Sequence, residues 1–103
     1  MPTPNKAMQA AARTALDYNA SVRPSQRWGT SVGRARARKI AAGEDFNLDE
    51  IVKIAAFLAR FAGDYEKQRA AGRYGKGYYA YMGWGGPSGL AWAKDKISQL
   101  DNQ

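Results

Sequence analysis

The sequence predicts an all-α fold, a compact bundle of four to five short helices. Three observations carry that prediction. Alanine, the strongest helix former, supplies 19 of the 103 residues. Apolar residues recur at i, i+3 and i+4 through several segments, which is the spacing of one helix face. No stretch alternates apolar and polar residues with the period of two that marks a half-buried strand. The length fits one domain overall, with residues 1–30 as an N-terminal helix and linker and residues 31–103 as a helical core module. No internal repeat interrupts that organisation.

The first helix is expected from Lys6 to about Tyr18, after Pro4 and Asn5. Its stripe of Ala7, Met8, Ala11, Ala15 and Leu16 is thin because alanine buries little area. That predicts a loosely docked segment. Asn19 to Thr30 is polar, holds Pro24 and Gly29, and reads as a linker anchored by Trp28. The second helix is expected from Ser31 to Ala42, with Thr30 or Ser31 as N-cap and Gly43 as its stop. At 100° per residue, Val32, Ala35, Lys39 and Ile40 share one side. Arg34 and Arg38 point the other way, and Arg36 falls beside the apolar stripe.

The third helix has the sharpest local signature. Asn47 as N-cap with Glu50 three residues on forms a capping box, and Phe46 before the cap pairs with Ile51 as a hydrophobic staple. Ile51, Ile54, Ala55, Leu58 and Phe61 or Ala62 follow at helical spacing, and Gly63 is the expected end. Asp64 to Ala71 adds up to two charged turns. A basic glycine loop, Gly72-Arg73-Tyr74-Gly75-Lys76-Gly77, then leads to a short aromatic helix from Tyr78 to Trp84. Gly83, Gly85 and Gly86 suit close helix approach and a sharp turn. Pro87 suits the first position of a last helix, whose residues Leu90, Ala93, Ile97 and Leu100 share one face, with Trp92 and Lys96 projecting from the other. The expected core is Ile51, Ile54, Leu58, Phe61, Trp84, Leu90 and Ile97.

Composition narrows the function classes. There is no cysteine and no histidine, so disulfides, thiol nucleophiles, zinc–thiolate sites and imidazole bases are excluded. No carboxylate pair or metal-ligand spacing emerges either. The expectation is a non-enzymatic protein without metal or cofactor. The longest apolar run, Ile54 to Ala59, falls far short of the roughly 18 residues a membrane span needs. The start, Met1-Pro2-Thr3-Pro4, lacks a signal-peptide pattern.

Charge supplies the main functional signal. Lysine and arginine number 16 against 9 acidic residues, a formal +7. Arg23, Arg27, Arg34, Arg36, Arg38 and Lys39 fall within one segment that contains no acid. Guanidinium groups match phosphate geometry in a bidentate way, so Arg34, Arg36, Arg38 and Lys39 are candidate phosphate contacts, joined by Arg73 and Lys76 in the glycine loop. The plainer alternative is a solvated helix face offset by Glu44, Asp45, Asp49 and Glu50, with Arg36 pairing to a carboxylate such as Glu50. Arginine and lysine interleaved with Tyr74, Tyr78, Tyr79, Tyr81 and Trp84 resemble base-stacking surfaces, although packing is the stronger reading, since three tyrosines within four helical positions cannot all face one way.

A competing expectation is a protein–protein module with Trp28, Tyr78, Trp84 and Trp92 as interface residues. Its partner would be an acidic protein surface or a second copy of the chain.

The second half of the chain also resembles a small helical module of tailed-bacteriophage head-associated structural proteins. The resemblance covers roughly Thr30 to Leu100. It is carried by Arg36-Ala37-Arg38-Lys39-Ile40-Ala41-Ala42-Gly43, by Ala56-Phe57-Leu58-Ala59-Arg60-Phe61, and by Trp84-Gly85-Gly86 with Gly89 and Trp92-Ala93. Phe61 stands where the pattern has histidine, and Pro87 where it often has an acidic residue. The resemblance implies a phage-type accessory role in the host cytoplasm or the virion, with a virion subunit among the partners, and it names no ligand.

Overall fold

The computed structural model describes residues 2–101. They form five helices and no strand: α1 (Lys6–Ser21), α2 (Ser31–Ala41), α3 (Leu48–Ala70), α4 (Lys76–Gly83) and α5 (Gly86–Asp101). A 3-10 turn, Pro24–Gln26, lies between α1 and α2. The all-α bundle is therefore observed. Its radius of gyration of 13.1 Å matches the ~13 Å of a compact domain of this length.

Helix starts follow the local chemistry. The Asn5 side chain accepts the Met8 N–H at 2.8 Å, and Thr30 Oγ1 accepts the Gly33 N–H at 3.1 Å. The α3 capping box is complete. Asn47 Oδ1 accepts the Glu50 N–H at 2.9 Å, and Glu50 Oε1 accepts the Asn47 N–H at 3.1 Å.

The expected end of α3 at Gly63 is not observed, since the helix continues to Ala70. A single helical glycine costs only about 1 kcal/mol, and the further turns place Tyr65 in the core. The stop comes instead at Gly72, whose φ of +68° is accessible to glycine.

The core gathers Met8, Ile40, Phe46, Ile51, Ile54, Leu58, Tyr81 and Trp92 from all five helices and the α2–α3 link. A second cluster joins Ala15, Trp28 and Ala37. The loose docking expected of α1 is overturned: Met8, Ala12 and Ala15 are fully buried. Small side chains here permit close approach to α2, α4 and α5 rather than signalling weak attachment.

The linker after α1 is equally constrained. Asn19 Oδ1 accepts the Trp28 N–H at 3.0 Å, its Nδ2 donates to the Trp28 carbonyl at 3.3 Å, and the Trp28 indole donates to the Ala15 carbonyl at 2.8 Å.

Two helix faces differ from expectation. On α2 the buried residues are Gly33, Ala37 and Ile40, while Val32 is 63% exposed. The contact face is built from small residues that a hydrophobicity stripe overlooks; Gly33 lies against the Trp84 ring. On α5, Trp92 is buried with Gly89 and Ala93. The N-terminal segment covers that flank: the Trp92 indole donates to the Thr3 carbonyl at 2.9 Å, and the Phe46 N–H donates to the Pro2 carbonyl at 2.9 Å.

Candidate nucleic-acid interface

With Gly33, Ala37 and Ile40 facing inward, the basic residues of α2 separate onto two flanks. Arg34 and Arg38 lie on the flank toward the end of α1. There they line a cleft of about 390 Å³ together with Arg27. Leu16, Asn19, Ala20 and Pro24 complete its lining, and no carboxylate lines it.

Backbone carbonyls position two of the three guanidiniums. Arg27 Nε donates to the Asn19 carbonyl at 2.8 Å, which neutralises part of the negative C-terminal end of α1. Arg34 Nη1 donates to the Gly29 carbonyl at 2.8 Å and the Trp28 carbonyl at 3.3 Å. Each guanidinium carries five N–H donors, so both retain donors beyond those bonds. Arg38 is exposed and makes no side-chain hydrogen bond or ion pair among the described residues. Arg13 Nη2 donates to the Ala41 carbonyl at 3.1 Å, adding a cation at the C-terminal end of α2.

Lys39 and Arg36 occupy the other flank and serve the fold. The Lys39 ammonium contacts both carboxylate oxygens of Glu50, at 2.8 and 3.0 Å, and lies 4.4 Å from the centre of the Phe46 ring. The Lys39 hydrogen bond holds the Glu50 carboxyl below its ordinary range, against an opposing push from burial. Arg36 makes no ion pair with Glu50, although its charge also helps lower that carboxyl. Its guanidinium lies 5.0 Å from the centre of Trp84, which stacks on Phe57 at 4.2 Å. Arg73 and Lys76 sit elsewhere again, exposed on the α3–α4 connection and at the start of α4. The six candidate cations are thus found in three places.

The expected interface residues divide similarly. Trp28 is 1% exposed and Trp92 7% exposed, and both indole N–H groups are consumed by backbone carbonyls inside the protein. These two are core residues rather than surface anchors, because the linker and the N-terminal segment fold over them. Trp84 and Tyr78 are half-buried. A second, largely apolar pocket of about 330 Å³ lies between α3 and α4, walled by Phe57, Phe61, Tyr65 and Ala80.

Arg27 is the cleft residue that was not among the candidate phosphate contacts. Arg27 belonged to the basic run but lay in an apparent linker. Arg13 is isolated in sequence and reaches the Ala41 carbonyl only through the packing of α1 on α2.

Among the described residues no cluster of acidic side chains is arranged to hold a metal ion. No helix there is long and apolar enough to cross a membrane. Comparison with protein-family models, curated proteins and solved structures finds no match for this chain.

Proposed function

We propose that this protein binds nucleic acid without catalysing a reaction, chiefly through phosphate contacts at the Arg27–Arg34–Arg38 cleft. One observation carries the reading: three guanidiniums line a single open cleft that no carboxylate shares. Gathering like charges is unfavourable, and a bound polyanion relieves it while releasing counterions. The formal charge of +7 adds long-range attraction for the same partner. Phosphate contacts position a protein on nucleic acid without reading bases, so weak sequence preference is expected. The resemblance in the second half of the chain supports placing this activity in a phage-type accessory protein. A protein-docking module is the other reading, but Trp28 and Trp92, on which it leaned, lie in the core.

Fluorescence anisotropy with labelled DNA, across about 50–300 mM salt, tests the proposal. Binding is expected to weaken steeply with salt. Arg27→Ala with Arg38→Ala should weaken it further and reduce the log–log slope by about one for each phosphate no longer neutralised. Unchanged affinity and slope in that double variant would remove the cleft from the interface.

A further inference from the structure

All six tyrosines of the chain belong to one connected set of rings. Tyr81, buried in the core, stacks on Tyr65 with ring centres 4.4 Å apart, and Tyr65 stacks on Tyr78 at 5.2 Å. Tyr78 meets the edge of Tyr79 at 5.0 Å, and Tyr79 stacks on Tyr18 at 3.9 Å. On its outer side Tyr78 contacts Tyr74 at 4.6 Å. The set therefore runs from the core to the surface, where Tyr74 is 51% exposed.

Tyr74 lies between two exposed cations, Arg73 and Lys76, and neither has an ion pair among the described residues. The loop that presents it is tied down. The Arg73 N–H donates to the Gln68 carbonyl at 2.8 Å, and the Gly72 N–H to the Arg69 carbonyl at 3.2 Å. A ring held on one side and open on the other, with a positive charge to each side in sequence, is the elementary unit of single-strand recognition. Holding the loop in advance lowers the ordering cost of binding.

We infer that Tyr74 is a stacking platform for one unpaired base of a single-stranded nucleic acid, with Arg73 and Lys76 contacting the adjacent phosphates. This inference rests on the nucleic-acid reading above and adds the state of the strand. Bases in a duplex are already stacked on one another, so the platform distinguishes single strands from duplexes. Every base has a π-face, so it does so with little sequence preference.

The test compares the full chain with its Tyr74→Ala and Tyr74→Phe variants. Each is titrated by anisotropy into a labelled single strand of about 12 nucleotides and a duplex of the same length. The wild type should favour the single strand. Tyr74→Ala should weaken single-strand binding about tenfold, as expected for one base that no longer stacks, and leave duplex affinity and salt slope unchanged. Tyr74→Phe keeps the ring and should restore binding.

If Tyr74→Ala binds the single strand like the wild type, or weakens both ligands equally, the platform is overturned while phosphate binding stands. If the wild type binds neither ligand at low salt, both readings fall. Tyr74 is exposed, so far-ultraviolet circular dichroism of the variants should match the wild type, and Tyr74→Leu, which keeps an apolar side chain beside Tyr78 but has no π-face, takes the place of Tyr74→Ala if that variant does not fold.

Discussion

Trp28 packs directly over Gly83. A Cβ built on Gly83 would overlap Trp28 Cη2 and lie 2.7 Å from Cζ2, so α4 can approach the linker only because that position has no side chain. The indole is a rigid ring whose N–H is held by the Ala15 carbonyl at 2.8 Å, and it cannot swing aside cheaply. Gly83→Ala should therefore overpack the contact between α4 and Trp28 and destabilise the protein by about 1–3 kcal/mol. The urea midpoint measures this. An unchanged midpoint would mean that the indole has room to move.

Arg34 and Arg38 are neighbours on one helix flank with different expected roles. Arg34 bonds the Trp28 and Gly29 carbonyls, so Arg34→Ala should cost about 1 kcal/mol or more of stability by removing those bonds. Arg38 is exposed and unpaired among the described residues. Arg38→Ala should stay within about 0.5 kcal/mol of the wild type and register only in nucleic-acid affinity. Parallel denaturation and binding curves separate the two.

The Lys39–Glu50 pair fixes an acid response. The folded state holds the Glu50 carboxyl below its ordinary range, first through the Lys39 hydrogen bond, with the Asn47 backbone N–H adding to it. A depressed carboxyl contributes stability that is present above the unfolded value and is lost as pH falls through the folded one. Stability should decline as pH drops below about 4.3. Glu50→Gln should flatten that decline and be less stable at neutral pH, as thermal melts across the acid range would show.

An alkaline response has the opposite sign. Burial raises the Tyr81 hydroxyl above its ordinary value; burial and then the neighbouring Tyr78 raise Tyr65. Groups raised in the folded state contribute stability that is fully present below the unfolded value, about 10 for tyrosine, and is lost as pH climbs above it. Ultraviolet titration should show a late-ionising fraction of tyrosines, absent in denaturant, and Tyr81→Phe should reduce it.

Trp92 offers a direct check on its burial. Truncation to alanine should cost about 3–5 kcal/mol, since the side chain fills the space between Phe46 and the N-terminal segment. Acrylamide quenching should distinguish the two buried indoles, Trp28 and Trp92, from the half-buried Trp84. Strong quenching of all three would contradict the packing described.

The all-helical fold, the starts of α1, α2 and α3, the tight turn at Gly85 and Gly86, and the exclusion of thiol and imidazole chemistry were all legible in the residues alone. Those features depend on residue type or on contacts within a turn or two. Asn47 and Glu50 satisfy each other's backbone wherever α3 lies, and Gly85 and Gly86 supply φ values of +116° and +67° that other residues rarely adopt.

Which cations act together, and which tryptophans face inward, depended on how the helices pack. The inward face of α2 is set by Gly33 against Trp84 and by Ala37 beside Trp28, contacts that arise only when distant segments meet. That rotation sends Arg34 and Arg38 to Arg27 and sends Lys39 to Glu50. Trp92 lies off the apolar stripe of its own helix and is buried because the N-terminal residues, 89 positions away in sequence, close over it. Helical periodicity describes one cylinder at a time, whereas burial is a property of the neighbours that surround it.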